Sequence, residues 1–352
     1  MTAFEHFWNG WGAGQDNLML IVCGSATSWI QDNLINSNGG LYDRVNEEIQ
    51  LTPFTLCETE QLLQMQEVTL SRYDILQLYM AVGGIPMYLS YVQPGFSLAQ
   101  TIDRLYFAPK AKLSNEFERL FRSIFKSPEH YMSIIRLLAK RQSGYSREEI
   151  SRETGIASGK GFTEMLRALE ASDFIEYYKP FENSKRNMKY RLTDPFCLFY
   201  LSQVEGRGRG ENFWRDNENL SQLRTWRGQA FENACLKHVG LIKAAMGVGG
   251  VSSDNAAWTL QGMDDQRGMQ IDLIINRSDK VVNLCEMKFV NEEFEVTKDY
   301  EMRLRSRLNW MIEHVSRRHN VQMTLVTTYG LKYGIHSGIF QRVITLDSLF
   351  SA

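Results

Sequence analysis

Between Met269 and Phe289 the chain reads MQIDLIINRSDKVVNLCEMKF. Apolar residues repeating with a period of two predict a strand over 269–275, a polar turn over 276–280 and a second strand over 281–289. Side chains two apart on a strand share a face, so Glu286 and Lys288 point the same way, and a hairpin closed at Arg277-Ser278-Asp279 brings Asp272 to that face. Two carboxylates and an ammonium then converge. A magnesium ion takes carboxylate oxygens with waters left over, and a nearby lysine positions an attacking water, which is the chemistry of phosphodiester hydrolysis. The alternative is an exposed hairpin with a charged outer face. Ile274, Val282 and Leu284, in register with the charges, favour a cleft with an apolar floor.

The 352 residues suffice for two or three cores, and 43% hydrophobic with 23% charged residues is ordinary for a soluble chain. A net charge of -2 carries no global nucleic-acid signature, but residues 111–227 hold 21 Lys and Arg against 16 Asp and Glu, a modestly basic middle. Five scattered cysteines read as reduced thiols, and no Cys or His cluster has zinc spacing. No apolar run approaches a membrane helix and no leader pattern opens the chain, so the expected location is cytoplasmic, with no membrane partner.

Along the chain, strands are expected at 18–23 and 47–54, and helices at 56–66 and 71–82, the second broken by Gly83-Gly84 before Pro86. Residues 115–141 read as helical. A capping box at Ser146 and Glu149, a stop at Gly155 and a helix over 160–172 follow, with Phe162, Leu166 and Leu169 on one face. Strands at 175–180 and 188–192 then enclose a loop with Lys185, Arg186 and Lys189. Helix, turn, helix and β-wing is the order of a winged helix, making these three cations candidate duplex-DNA contacts; a packing domain with a protein partner is the alternative. Residues 201–225, with the string GRGRG, read as a flexible linker. The final domain opens near Trp226 with a helix carrying Phe231, Ala234 and Cys235, and Glu232 one position off that stripe.

GIASGKG at 155–161 is rejected as a phosphate-binding loop. It has three residues, not four, before its Gly-Lys, Gly161 in place of the hydroxyl, and no preceding strand. Ser25, after the first apolar run, reads as a polar sensor or a helix N-cap. Arg44 is a candidate phosphate contact, with a surface ion pair as the alternative.

The strings LIVCGSATSWI, GGLYDRVNEEIQLTPF and VGGIPMYL resemble the later half of the AAA-like P-loop ATPases of the signal-transducing NTPase type, whose C-terminal region is the family called DUF234. WRGQAFENACLKHV, MQIDLII and LCEMKF resemble a PD-(D/E)xK, restriction-endonuclease-like domain. The resemblance implies a multidomain protein of α/β and α+β class: a partial AAA-like ATPase module with helical lid over 1–110, a winged helix over 111–200, a linker over 201–225 and the nuclease-like domain over 226–352. It implies nucleotide sensing at Ser25 and Arg44 and a catalytic set of Glu232, Asp272, Glu286 and Lys288. Asp272 and Glu286 would hold the metal, Glu232 would add a carboxylate directly or through a ligand, and Lys288 would orient the water. Family members carry a phosphate-binding loop and an acidic magnesium strand ahead of the point where this sequence starts, so a fragment, a truncated product or a degenerate homologue is expected.

Two functions compete at this stage: a nucleic-acid-directed protein with a magnesium-dependent nuclease domain, and a non-catalytic DNA- or protein-binding scaffold. Without wrapping backbone amides and the loop lysine, ATP phosphates have few placed partners. The expected outcome is no ATPase activity and ATP binding no tighter than about millimolar; low-micromolar binding by calorimetry would contradict it.

Overall fold

A computed structural model describes residues 2–24, 44–179, 181, 188–218, 220–260, 269–315 and 317–351. The chain is mixed α and β, with fourteen α-helices and both parallel and antiparallel strand pairs among these residues. Helix α1 (Thr2–Gly10) is followed by chain that forms neither expected N-terminal strand in its described part. Met19, Ile21, Ile49 and Leu51 stand largely exposed. The cause is the lack of a partner: a strand without a neighbour leaves its backbone groups to water, and no described strand runs beside either segment.

In α2 (Leu56–Met65) Thr55 and Glu58 form a reciprocal capping box. Ser71 caps α3 (Arg72–Val82), whose residues 75–82 are all buried. Gly83, at φ +70°, ends it, and Gly84 admits no side chain because a Cβ there would lie 2.0 Å from the Phe54 carbonyl oxygen. Pro86 then opens α4 (Pro86–Leu89), followed by α5 (Leu98–Ile102).

The predicted helix over 115–141 is two, α6 (Glu116–Ile124) and α7 (Pro128–Leu138), because Pro128 cannot continue the first. The short strand β1 (Tyr145–Ser146) leads into α8 (Arg147–Thr154), capped by Ser146 and Glu149 and closed by Gly155 at φ +72°. Helix α9 (Lys160–Ala171) buries Phe162, Leu166 and Leu169, and β2 (Ile175–Tyr178) and β3 (Lys189–Leu192) complete an antiparallel sheet of order β1-β3-β2. GIASGKG therefore joins two helices.

The expected linker is packed. It continues from α10 (Pro195–Phe199), and in α11 (Phe213–Asp216) Trp214 is buried against Phe199 and Trp226. The buried Asp103 carboxylate accepts the backbone N–H groups of Trp214 and Arg215 at 2.7 and 3.2 Å. Glycine content suggested freedom, but one aromatic anchor and one buried acceptor fix the path.

Helix α12 (Ser221–Lys237) and α13 (Val239–Ala245) precede β4 (Ser253–Leu260), β5 (Met269–Arg277) and β6 (Val281–Lys288), three antiparallel neighbours. After the short β7 (Phe294–Glu295), α14 (Lys298–His314) crosses back. Strand β8 (Asn320–Thr327) then pairs parallel with β6, β9 (Leu331–Lys332) pairs with β7, and β10 (Phe340–Ile344) closes the order β10-β8-β6-β5-β4. The sheet is covered on both faces. Leu273, Ile275, Cys285 and Met287 join the core containing α12, whereas Ile274, Val282 and Leu284 join Leu304 and Met311 of α14. Cys197, Cys235 and Cys285 are free and buried. No described helix is long and apolar enough to cross a membrane.

Trp214→Ala should cost about 3–5 kcal/mol of unfolding free energy in urea titration, the usual penalty for emptying a buried aromatic site. A cost within 0.5 kcal/mol or so would mean that this segment is not anchored.

Candidate functional site

The hairpin assembles the charged group as its alternation requires. The β5–β6 ladder ends at Leu273 opposite Cys285, and Asp272, the next residue along β5, sits where β5 shifts register against β4, close to Glu286. Like charges this close are destabilising unless compensated. Compensation comes from the neighbouring side chains. The Lys288 ammonium reaches Glu286 at 2.8 Å, Arg307 of α14 donates to the other Glu286 oxygen at 2.6 Å, and the Tyr300 hydroxyl donates to the first. Asp272 accepts the Met287 N–H at 3.3 Å and the Gln270 amide at 3.2 Å. Glu232 arrives from α12, beside the fully buried Phe231, and accepts from the side chain of Gln142.

The three carboxylates sit in different fields. Burial pushes Glu232 up to about 8, with the Asp272 charge adding to the effect. Burial and then Glu286 push Asp272 up to about 6. Burial would also raise Glu286, but Lys288, Arg307 and the Tyr300 hydroxyl together hold it below the usual carboxylate range. Burial opposes the Lys288 charge, yet Glu286, Tyr300 and Asp272 outweigh it and raise its pKa, so the ammonium stays charged. The site therefore combines one permanently ionised pair with two carboxylates that retain protons well above their ordinary range.

A small cavity of about 20 Å³ lies between the β1-β3-β2 unit and the hairpin, lined by Gln142, Tyr178 and Arg191 on one side and Glu232, Asn233 and Asp272 on the other. Glu286 and Lys288 lie beyond this lining. Glu232 and Asp272 thus meet the opening, while Glu286 is spent on its cations. Among the described residues no three His, Cys, Asp or Glu side chains form a group ready to hold a metal ion.

The structure brings together Glu232, Asp272, Glu286 and Lys288. Ser25, Lys185 and Arg186 lie outside the described residues. Arg44 is exposed in irregular chain. Lys189 is half-buried, its pKa lowered by burial and then by Arg141, with Glu149 opposing, so it is poorly placed for phosphate. Sequence reasoning missed Tyr300, Arg307 and Gln142. Tyr300 and Arg307 are seven apart on one helix and therefore share a face, a spacing that could have marked them as partners of the strand acids.

Comparison with family models, curated proteins and solved structures finds no match. The arrangement is read on its own geometry.

A carboxyl group whose folded pKa exceeds its unfolded one binds more protons when folded, so folding stability is lost as pH rises from the unfolded to the folded value. Asp272 and Glu232 should make metal-free stability fall between about pH 4 and pH 8. Glu232→Gln should flatten the upper part of that fall, read from urea midpoints at several pH values. A parallel pH profile in the variant would contradict the raised Glu232.

Proposed function

We propose that the chain is nucleic-acid-directed and that its C-terminal unit is a restriction-endonuclease-like, PD-(D/E)xK module that hydrolyses DNA phosphodiesters with magnesium. The observation that carries the reading is the convergence of Glu232, Asp272, Glu286 and Lys288 from α12, β5 and β6, with Glu232 and Asp272 lining a small cavity. The helix–helix–hairpin order of residues 146–192 supports the winged-helix reading of the preceding unit, with duplex DNA as partner. The first 110 residues are read as belonging to an AAA-like ATPase module with its helical lid, and the protein as cytoplasmic.

The donor chemistry fits a magnesium ion that keeps most of its waters, because Asp272 and Glu232 retain free lone pairs beside the cavity and this ion needs only one or two carboxylates. Glu286 would join them only by exchanging Arg307. When bound, the ion supplies positive charge to the phosphoryl oxygens and to an attacking water. Lys288, held by Glu286, stabilises charge developing on the attacked phosphate. In the hydrolysis one water oxygen bonds to phosphorus and the bond to the leaving sugar oxygen breaks; whichever of Glu232 and Asp272 does not hold the ion would take the water proton, and the leaving sugar oxygen would take a proton from bulk water.

A second reading, a non-catalytic DNA- or protein-binding scaffold, is favoured by one observation. Glu286 already holds two cations and a hydroxyl, a self-neutralised cluster that needs no metal. Calorimetric magnesium or manganese titration beside cleavage of linear DNA separates the two. Asp272→Asn and Glu286→Gln should abolish cleavage and weaken metal binding. Lys288→Ala should keep most metal affinity while lowering cleavage about 100-fold or more. Equal metal affinity in wild type and both carboxylate variants would reject the shared metal site and leave the scaffold reading.

A further inference from the structure

Residues 104–126 carry six Lys or Arg against two Glu, in a chain whose net charge is -2. Helix α6 explains how these cations reach the surface. Phe117 and Phe121, four apart, are fully buried, and Phe125 just beyond the helix continues that face. Arg119 and Arg122, three apart, fall on the opposite side of the helix and are exposed, and Lys126, past the helix end, is exposed too. Lys110 and Lys112, on the approach to the helix, reach solvent as well.

The carboxylates nearby do not neutralise this face. Glu116 accepts from the Tyr88 hydroxyl at 3.2 Å, and Glu118 pairs only with Arg122 at 3.2 Å. Among the described residues Lys110, Lys112, Lys126 and Arg119 have no carboxylate within ion-pair distance. Shape adds to charge. One open depression is lined by Lys110, Lys112, Ser114, Asn115 and Arg119, and a second, sharing Asn115 and Arg119, continues it to Arg122, its partner Glu118 and Tyr200.

We propose that this continuous basic groove is a binding surface for the phosphate backbone of duplex DNA. Guanidinium and ammonium groups without a carboxylate partner, beside the Asn115 amide, suit phosphate oxygens, which carry charge and hydrogen-bond acceptors along a line. A protein hot spot or a lipid surface calls for apolar anchors. No large exposed apolar side chain among the described residues lies between 88 and 176. The groove also takes the role expected of the wing loop, whose described member, Lys189, is half-buried beside Arg141. The inference rests on the nucleic-acid reading above but not on its cleavage step.

The test is fluorescence anisotropy of a labelled duplex of about 20 base pairs with the full chain in EDTA, over a salt series, for wild type and the Lys110→Gln, Lys112→Gln, Arg119→Gln triple variant. These side chains face solvent, and circular dichroism verifies the variant's fold. Wild type should bind with an affinity that falls steeply with salt. The variant should bind at least about tenfold more weakly across unrelated sequences, its log–log salt slope shallower by about 2–3 because three cations no longer neutralise phosphates. Unchanged affinity and slope in the variant would overturn this surface while leaving the cleavage reading intact. No binding by wild type at low salt, or binding to phosphatidylserine vesicles in preference to DNA, would also overturn it. Magnesium-dependent cleavage by the same variant at high protein concentration reports on the hydrolytic site separately.

Discussion

Helix α12 is held on several sides at once, and that confinement organises both halves of the molecule. Leu223, Trp226, Ala230, Phe231, Asn233, Ala234 and Cys235 are all buried, a spread wider than one helical stripe, so from Trp226 onward the helix lies inside the protein, while Ser221, Gln222, Arg224 and Thr225 of its start are exposed. It packs on β6 on one side and against α3 and α10 on others. Its polar groups serve as ties: the Asn233 amide donates to the Leu192 carbonyl at 3.2 Å. His238, at its end, accepts the Leu56 N–H on Nε2 at 3.2 Å and donates from Nδ1 to the Ala234 carbonyl at 2.7 Å. That imidazole caps a helix far away in sequence, and burial holds it neutral.

A helix so enclosed leaves little choice for the one carboxylate it presents to the sheet. Glu232 is largely buried and reaches only the small cavity, and its neighbours Asp272 and Glu286 already lie close together on adjacent strands. Three negative charges in that volume would repel strongly. The observed solution is unequal: Glu286 receives the cations and stays ionised, and the other two hold protons to higher pH. The same inequality gives the site its chemical range, since a carboxyl near neutrality exchanges protons at working pH while a fixed ion pair orients charge.

The hairpin was legible because period-two alternation determines which side chains share a face, and three charges in an apolar background are conspicuous. The caps at Ser146 and Glu149 and the stop at Gly155 were legible for a similar reason: they depend on interactions within one turn. What escaped was long-range. The apolar runs at 18–23 and 47–54 look like strands, but a strand exists only through its neighbours, and no local pattern reports whether they are there. GRGRG looked free because glycine lowers the barrier to motion, whereas the anchor, Trp214, lies past it and its acceptor, Asp103, stands far earlier in the chain. Arg307 was invisible as a partner of Glu286 because the crossing of α14 over the sheet, not sequence distance, brings them together.

Gln142 bears on how far the hairpin alone specifies the chemistry. Its side chain donates to Glu232, and with Tyr178 and Arg191 it forms one wall of the cavity whose other wall carries Glu232 and Asp272. Arg191 is itself fixed by Glu176 at 2.6 Å, and the Tyr178 hydroxyl donates to the Ser143 carbonyl at 2.7 Å, so this wall is braced from within its own three-stranded sheet. Burial is the largest cause of the raised Glu232, and part of that burial comes from the wall. Removing residues 142–191 would admit water, lower the Glu232 pKa and loosen the carboxylate that Gln142 now holds. The proton affinity of the acid cluster is therefore a property of two packed units, even though every charge in it belongs to one.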